Sequence, residues 1–155
     1  MAKKTVREYK QGIFKPIHRE KCLNKECPVY RSGLELSVML VLDKSSVVKK
    51  WGSEVTVIPY FKEVENRSAR YYMDFTIVID LNGKTETWLV EVKPERQTVE
   101  PTKHGNKKSS TILYENMMYI TNKNKWEAAE GYAKKHNYKF VLMTEKNIDT
   151  LLRSL

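Results

Sequence analysis

Apolar positions along this chain recur with two different periods, and the two periods divide it into helices and strands. Ser32-Gly33-Leu34-Glu35 opens the first periodic segment with a capping-box spacing, in which serine and glutamate satisfy each other's backbone donors. Val38, Met39 and Leu42 follow Glu35 at i+3, i+4 and i+7. This spacing predicts a helix to about residue 43, with Glu35 on or beside its buried stripe. Trp51-Gly52 reads as a break, 54–60 (EVTVIPY) as a strand ending near Pro59, and 62–68 as a charged loop. The strongest strand signal is 70–80 (RYYMDFTIVID), followed by Asn82-Gly83, a two-residue turn of the type that demands positive φ. The returning strand is 85–93 (TETWLVEVK), ended by Pro94, which cannot donate to a ladder. Residues 95–108 are polar and turn-rich and read as a mobile loop long enough to suggest a function. Two helices are predicted over 110–120 and 122–136, the second with Trp126, Ala129 and Ala133 as a core stripe. Asn137 is expected as a left-handed cap, 138–143 as a strand, and Thr144 as the cap of a last short helix carrying Ile148, Leu151 and Leu152. This order is met most economically by an α/β fold, one mixed β-sheet flanked by helices.

The hairpin register can be read from the turn. With Asn82 and Gly83 as the two turn residues, Leu81 pairs with Lys84, and the ladder sets Ile77 against Trp88, Phe75 against Val90 and Met73 against Val92. Those apolar pairs share one face, as a buried face requires. The same register sets Asp74 opposite Glu91 and Tyr72 opposite Lys93, and puts Asp74, Glu91 and Lys93 together on the other face. Two carboxylates directly opposed, with Cβ atoms ~5 Å apart, repel each other. A divalent cation between them reverses that, and hard oxygen ligands at this spacing suit Mg²⁺. A surface pair of acids beside a solvated lysine is the competing reading of the same residues.

Composition narrows the class. The chain has 155 residues, 41% of them hydrophobic and 30% charged, enough for the core of one domain. No apolar run approaches the ~20 residues that span a bilayer. The basic start, Met1 to Arg7, has no apolar stretch behind it, so no secretory signal is read and the chain is expected to stay in the cytoplasm where it is made. Lys plus Arg number 28 against 19 Asp plus Glu, a net charge of +9 that favours an anionic partner, nucleic acid above all. Residues 1–29 form a basic N-terminal arm, laid across the body 30–155 by Ile13, Phe14 and Ile17; a solvated tail and a phosphate-binding arm both fit it. Cys22 and Cys27 have no second ligand pair to make a zinc site and are expected as reduced thiols.

Asp74 followed by Glu91-Val92-Lys93 after a hairpin resembles the PD-(D/E)XK nuclease motif, with Met73 where that family often has proline. A closer likeness runs from about residue 30 to residue 144. It is carried by Tyr30-Arg31-Ser32 with Glu35, Trp51-Gly52-Ser53-Glu54, Ile58-Pro59-Tyr60, Arg70-Tyr71-Tyr72-Met73-Asp74, Glu91-Val92-Lys93-Pro94, Lys125-Trp126 and Thr144-Glu145. These stretches are similar to the head completion nucleases of tailed bacteriophages and, more distantly, to the nuclease subunit of certain transposases. The first 29 residues carry none of the likeness. The resemblance implies a restriction-endonuclease-like sheet and a metal-dependent DNA endonuclease acting in the completion of packaged phage heads. It implies Mg²⁺, with Mn²⁺ as a substitute, held by Asp74, Glu91 and the backbone carbonyl of Val92, with Lys93 orienting the attacking water. Glu35 matches the family's helical acid and would bind a second metal or anchor a water. Arg31, Lys103, Lys107, Lys108 and Lys125 are candidates for gripping the DNA backbone. Portal or neck proteins of the capsid are implied as further partners, in the host cytoplasm or on the virion. A non-catalytic DNA-binding or structural head protein is the rival reading. An RNA binder stacking bases on Tyr71 and Tyr72 is a further one, though Tyr71 is expected in the core.

Overall fold

The computed structural model describes residues 11–102 and 105–155. Its elements in chain order are β1 (Gly12–Ile13), β2 (Val29–Tyr30), α1 (Gly33–Lys44), β3 (Val48–Ser53), β4 (Val57–Lys62), β5 (Arg67–Tyr72), β6 (Phe75–Leu81), β7 (Lys84–Val92), α2 (Ser109–His136), β8 (Lys139–Met143) and α3 (Ile148–Arg153). Strands β3, β6, β7 and β8 lie side by side in that order; β6 is antiparallel to β3 and β7, and β8 is parallel to β7. β4 and β5 form their own antiparallel ribbon, and β1 pairs with β2. This is the expected α/β arrangement, a mixed sheet with helices on both faces.

Alternation along the strands sorts the core into two layers. Phe75, Ile77 and Ile79 of β6 and Trp88, Val90 and Val92 of β7 meet Val38, Met39 and Leu42 of α1, joined by Trp51, Met143 and Ile148. Leu89 points the other way, into a second cluster with Ala129 and Ala133 of α2 and with Ile58, Tyr60, Tyr71 and Met73. Burial on both faces explains why Trp88, Leu89 and Val90 follow one another as apolar residues in the inner half of β7. At the hairpin tip Asn82 and Gly83 both have positive φ, as the turn requires, and the ladder from Leu81–Lys84 to Phe75–Val90 is the expected one.

Several expectations need correction. Pro59 does not end a strand: it lies inside β4, opposite Arg70, and residues 54–56 precede that strand. The strand expected over 70–80 is broken: β5 ends at Tyr72, which pairs with Val57 and not with Lys93, and the ladder to β7 stops at Phe75–Val90. Met73 therefore lies in the α2 layer and not opposite Val92 on the face of Phe75. Trp51-Gly52 is inside a strand, β3, whose Val48-Lys49-Lys50 start carries two consecutive lysines; a Cβ at Gly52 would meet Val55 Cγ2 at 2.7 Å, so glycine permits close approach there. The two helices expected over 110–136 are one helix of 28 residues, in which the buried Thr121 hydroxyl donates to the Met117 carbonyl one turn back and remains satisfied. The last helix begins only at Ile148; Thr144 Oγ1 accepts from Lys146 N in the turn that leads into it, and the Asn147 amide oxygen accepts from Thr144 N.

The described part of the segment 1–29 is attached by specific contacts. Phe14 is buried against Trp51, while Ile13 and Ile17 are exposed. The Lys21 ammonium donates to the carbonyls of Leu42, Asp43 and Ser45, closing the C-terminus of α1, where the helix carbonyls lack partners. Asp43, 1% exposed, accepts from Ile17 N at 2.8 Å and His18 N at 3.0 Å. Lys3, Lys4, Arg7 and Lys10, the first cations of the arm, lie outside the described residues. Both cysteines are free thiols. Because two backbone amides share one buried charged acceptor, Asp43→Ala is expected to cost about 2–4 kcal/mol in urea unfolding. A loss under about 0.5 kcal/mol, within the range of ordinary surface substitutions, would show that this anchor is dispensable.

Candidate active site

The site begins with a mismatch between two paired strands. Three residues, 54–56, link β3 to β4, whereas two, 73–74, link β5 to β6. The extra residue is accommodated by Glu54, which takes a left-handed φ of 56°. Extra residues of this kind bend a ribbon and re-aim its side chains. Glu54 N donates to the Asp74 carbonyl at 3.2 Å and Met73 N to the Thr56 carbonyl at 3.0 Å, so the two bends are tied together. Asp74 thus stands at a corner, where the chain leaves one ribbon and enters the main sheet.

There its carboxylate turns toward β7. Oδ2 of Asp74 accepts from Val92 N at 2.8 Å. The next residue back, Glu91, is 3% exposed; its Oε2 accepts from the Tyr71 hydroxyl at 2.6 Å and its Oε1 lies 3.3 Å from the Lys93 ammonium. The structure therefore brings Asp74, Glu91 and Lys93 to one place. Burial first, and the Glu91 carboxylate second, push the Asp74 carboxyl up to about 8, against the pull of the Val92 amide and Lys93. Burial also raises the Tyr71 hydroxyl, with Glu91 adding to it, so it stays a protonated donor.

Other nominated residues are placed differently. Glu35 forms half of its expected capping box: its amide donates to Ser32 Oγ at 3.1 Å, but its Oε2 accepts from Arg31 N at 2.8 Å, one residue before the cap, in place of Ser32 N. Its charge still reaches Asp74, whose carboxyl it helps to raise. Arg31 forms an ion pair with Glu54 at 2.5 Å. Lys107 pairs with Glu115 at 3.0 Å on the exposed start of α2, and Lys108 is the exposed residue before that helix. Lys103 lies outside the described residues. Lys125 is half-buried, with its ammonium 5.5 Å from the centre of the Tyr71 ring. Burial lowers its pKa, followed by Lys93; Glu91 and Asp74 act in the opposite direction. Sequence reasoning missed Tyr71 as a partner of Glu91 because a continuous strand would have turned its ring to the other face.

Among the described residues, no group of three or more His, Cys, Asp or Glu side chains is gathered to hold a metal. The donor set at the corner nonetheless fits a hard divalent cation: the Asp74 carboxyl, raised by burial and by Glu91, stands with a Glu91 that is 3% exposed, and the Lys93 ammonium lies 3.3 Å from Glu91.

Residues 45–145 match the family model of the TnsA-like endonuclease N-terminal domain. That stretch holds Asp74, Glu91, Lys93 and Lys125 and leaves out Arg31 and Glu35. The chain is also 34% identical over 125 residues to the head completion nuclease of Enterobacteria phage T4, an alignment covering 79% of this chain and 81% of that protein.

The pH dependence of the metal-free protein follows from Asp74. Its folded carboxyl lies near 8 against an ordinary value of 3.8, so between those values the folded state holds more protons than the unfolded one. This contribution is therefore greatest below about pH 4 and is lost as pH rises through about 8. In EDTA at pH 8, Asp74→Asn is expected to unfold at least roughly 2–4 °C above the parent chain, and to lose much of the decline between pH 5 and 8. A thermal melt with the parent's pH slope intact in the variant would contradict this assignment.

Proposed function

From the premise that this chain belongs to the TnsA-like endonuclease family, we propose that it is a magnesium-dependent DNA endonuclease worked by Asp74, Glu91 and Lys93. The observation that carries this reading is the pair of desolvated carboxylates meeting at the strand corner, with Lys93 against Glu91. Asp74 and Glu91 would hold Mg²⁺, or Mn²⁺ in its place, beside the Val92 carbonyl. Bound there, the ion supplies Lewis-acid polarisation of a phosphate oxygen and lowers the pKa of a water.

The remaining chemistry belongs to the chain. Val92 N fixes one Asp74 oxygen and Tyr71 fixes one Glu91 oxygen, so both carboxylates are oriented before substrate arrives. Lys93 positions the attacking water and offsets charge on the phosphate. Glu35 lends a further acid at the N-terminus of α1. Arg31, Lys107 and Lys108 hold the DNA backbone, Arg31 by exchanging Glu54 for a phosphate. The net charge of +9 favours that polyanion. The T4 relative is named for head completion, and we extend that step to this chain: trimming DNA at packaged heads in the host cytoplasm, beside portal or neck proteins.

Purified protein should nick or cut duplex DNA with magnesium and lose that activity in EDTA. Asp74→Ala and Lys93→Ala should each lower the rate by about 10³-fold or more while circular dichroism stays that of the parent. Full magnesium-dependent cleavage by either variant would rule out this site. A parent chain that binds DNA but never cuts it would leave a binding or structural protein.

A further inference from the structure

Lys93 is not the only ammonium drawn into the corner. Lys125 enters from the opposite element, α2, one helical turn before Ala129, which is fully buried against the sheet. Its ammonium rests 5.5 Å from the ring centre of Tyr71, the residue whose hydroxyl holds Glu91 Oε2. Among the described residues it makes no ion pair with any carboxylate, whereas Lys93 lies 3.3 Å from Glu91 and Arg31, Lys62, Lys107 and Lys139 each have an acid partner. An aromatic face only partly replaces water around an ammonium. A half-buried cation held this way, without a counter-ion, is a receptor for an anion that arrives later.

Charge at the site shows which anion. Glu91 already offsets most of what Lys93 can offer, because their charged atoms lie in contact. In phosphodiester hydrolysis a water oxygen adds to phosphorus and one bridging P–O bond breaks. The water gives up a proton, and the departing sugar alkoxide takes one up. Negative charge grows on the non-bridging and departing oxygens on the way. We propose that Lys125 contacts the scissile phosphate itself, from the α2 side, and stabilises the charge that develops there during cleavage. Its role therefore differs from the general backbone grip expected of it alongside Arg31, Lys107 and Lys108. The contact is electrostatic and transfers no proton. This inference rests on the nuclease reading of Asp74, Glu91 and Lys93, and it adds a second element of the fold to the reacting group.

The test compares Lys125→Gln, Lys125→Arg, Asp74→Asn and the parent chain on one duplex substrate. Single-turnover rates are measured at saturating DNA with magnesium, and DNA affinity is measured across salt concentrations in EDTA. Lys125→Gln should cut about 10²-fold more slowly. Its log Kd against log salt should be shallower by about 0.9, the loss of one phosphate contact. Lys125→Arg should recover at least about a tenth of the parent rate, and both Lys125 variants should melt within a few degrees of the parent. A Gln variant that cuts at the parent rate, or one that slows with an unchanged salt slope, overturns the proposal. So does an Arg variant as slow as Gln. If Asp74→Asn abolishes cutting and Lys125→Gln cuts at the parent rate, Lys125 alone has been misassigned. If the parent chain does not cut, the nuclease reading and this inference fall together.

Discussion

Asp74 and Glu91 are kept together because each carboxylate is held by its own hydrogen bond. Asp74 is pinned through Oδ2 to Val92 N, and Glu91 is pinned through Oε2 to the Tyr71 hydroxyl, so neither carboxylate can swing away to reduce their repulsion. One ammonium, on Lys93, offsets the pair in part. Once Asp74 ionises, like charges held close with little water between them destabilise the metal-free fold. That cost is borne by the two apolar layers that sandwich the sheet, with Val38, Met39 and Leu42 on one side and Ala129 and Ala133 on the other. The stability of the scaffold and the charge state of the corner are therefore one problem. A fold with only one covered face would have less burial with which to hold two acids together.

The bend at Glu54 does more than turn a ribbon. By adding one residue on the β3–β4 side, it carries Tyr71 and Met73 from the α1 layer to the α2 layer, and so brings the Tyr71 hydroxyl to Glu91. The same residue fixes the Asp74 carbonyl through its amide and holds Arg31 through its side chain. A left-handed φ is unfavourable for glutamate, and strain of this kind persists only where the surroundings over-determine it. Here three separate contacts depend on it.

Much of this was readable beforehand, and the parts that were not share a cause. Asn82-Gly83 set the turn, and apolar pairing then fixed the register as far as Phe75–Val90, enough to place Asp74 beside Glu91. The stripe on α1 and the cap at Asn137 were equally plain, because each rests on local spacing or local φ. The break after Tyr72 was hidden because its cause, the extra residue, sits on the partner strand eighteen or so positions earlier. The continuity of α2 was hidden because Thr121 and Asn122 look like a break until tertiary packing buries them. Nothing in the sequence around Lys21 or Asp43 marks either as an anchor, since the groups they hold lie some twenty or more positions away. Local chemistry was legible, whereas non-local compensation was not.

That distinction also governs how the excess of cations should be read. Many basic residues here are engaged inside the protein: Lys21 closes a helix, Arg31 holds Glu54, and Lys139 holds Glu86. Net charge therefore describes attraction at a distance and says little about which side chains meet phosphate. What draws a lysine into the corner is the packing of the element that carries it. Ala129 and Ala133 are small, so α2 can lie close on Leu89, and that close approach delivers Lys125 one turn earlier over Tyr71. A larger side chain at Ala129 would push the helix outward and withdraw the ammonium from the carboxylates without touching any charged group. The chemistry of the site is thus set partly by two alanines that never meet the substrate.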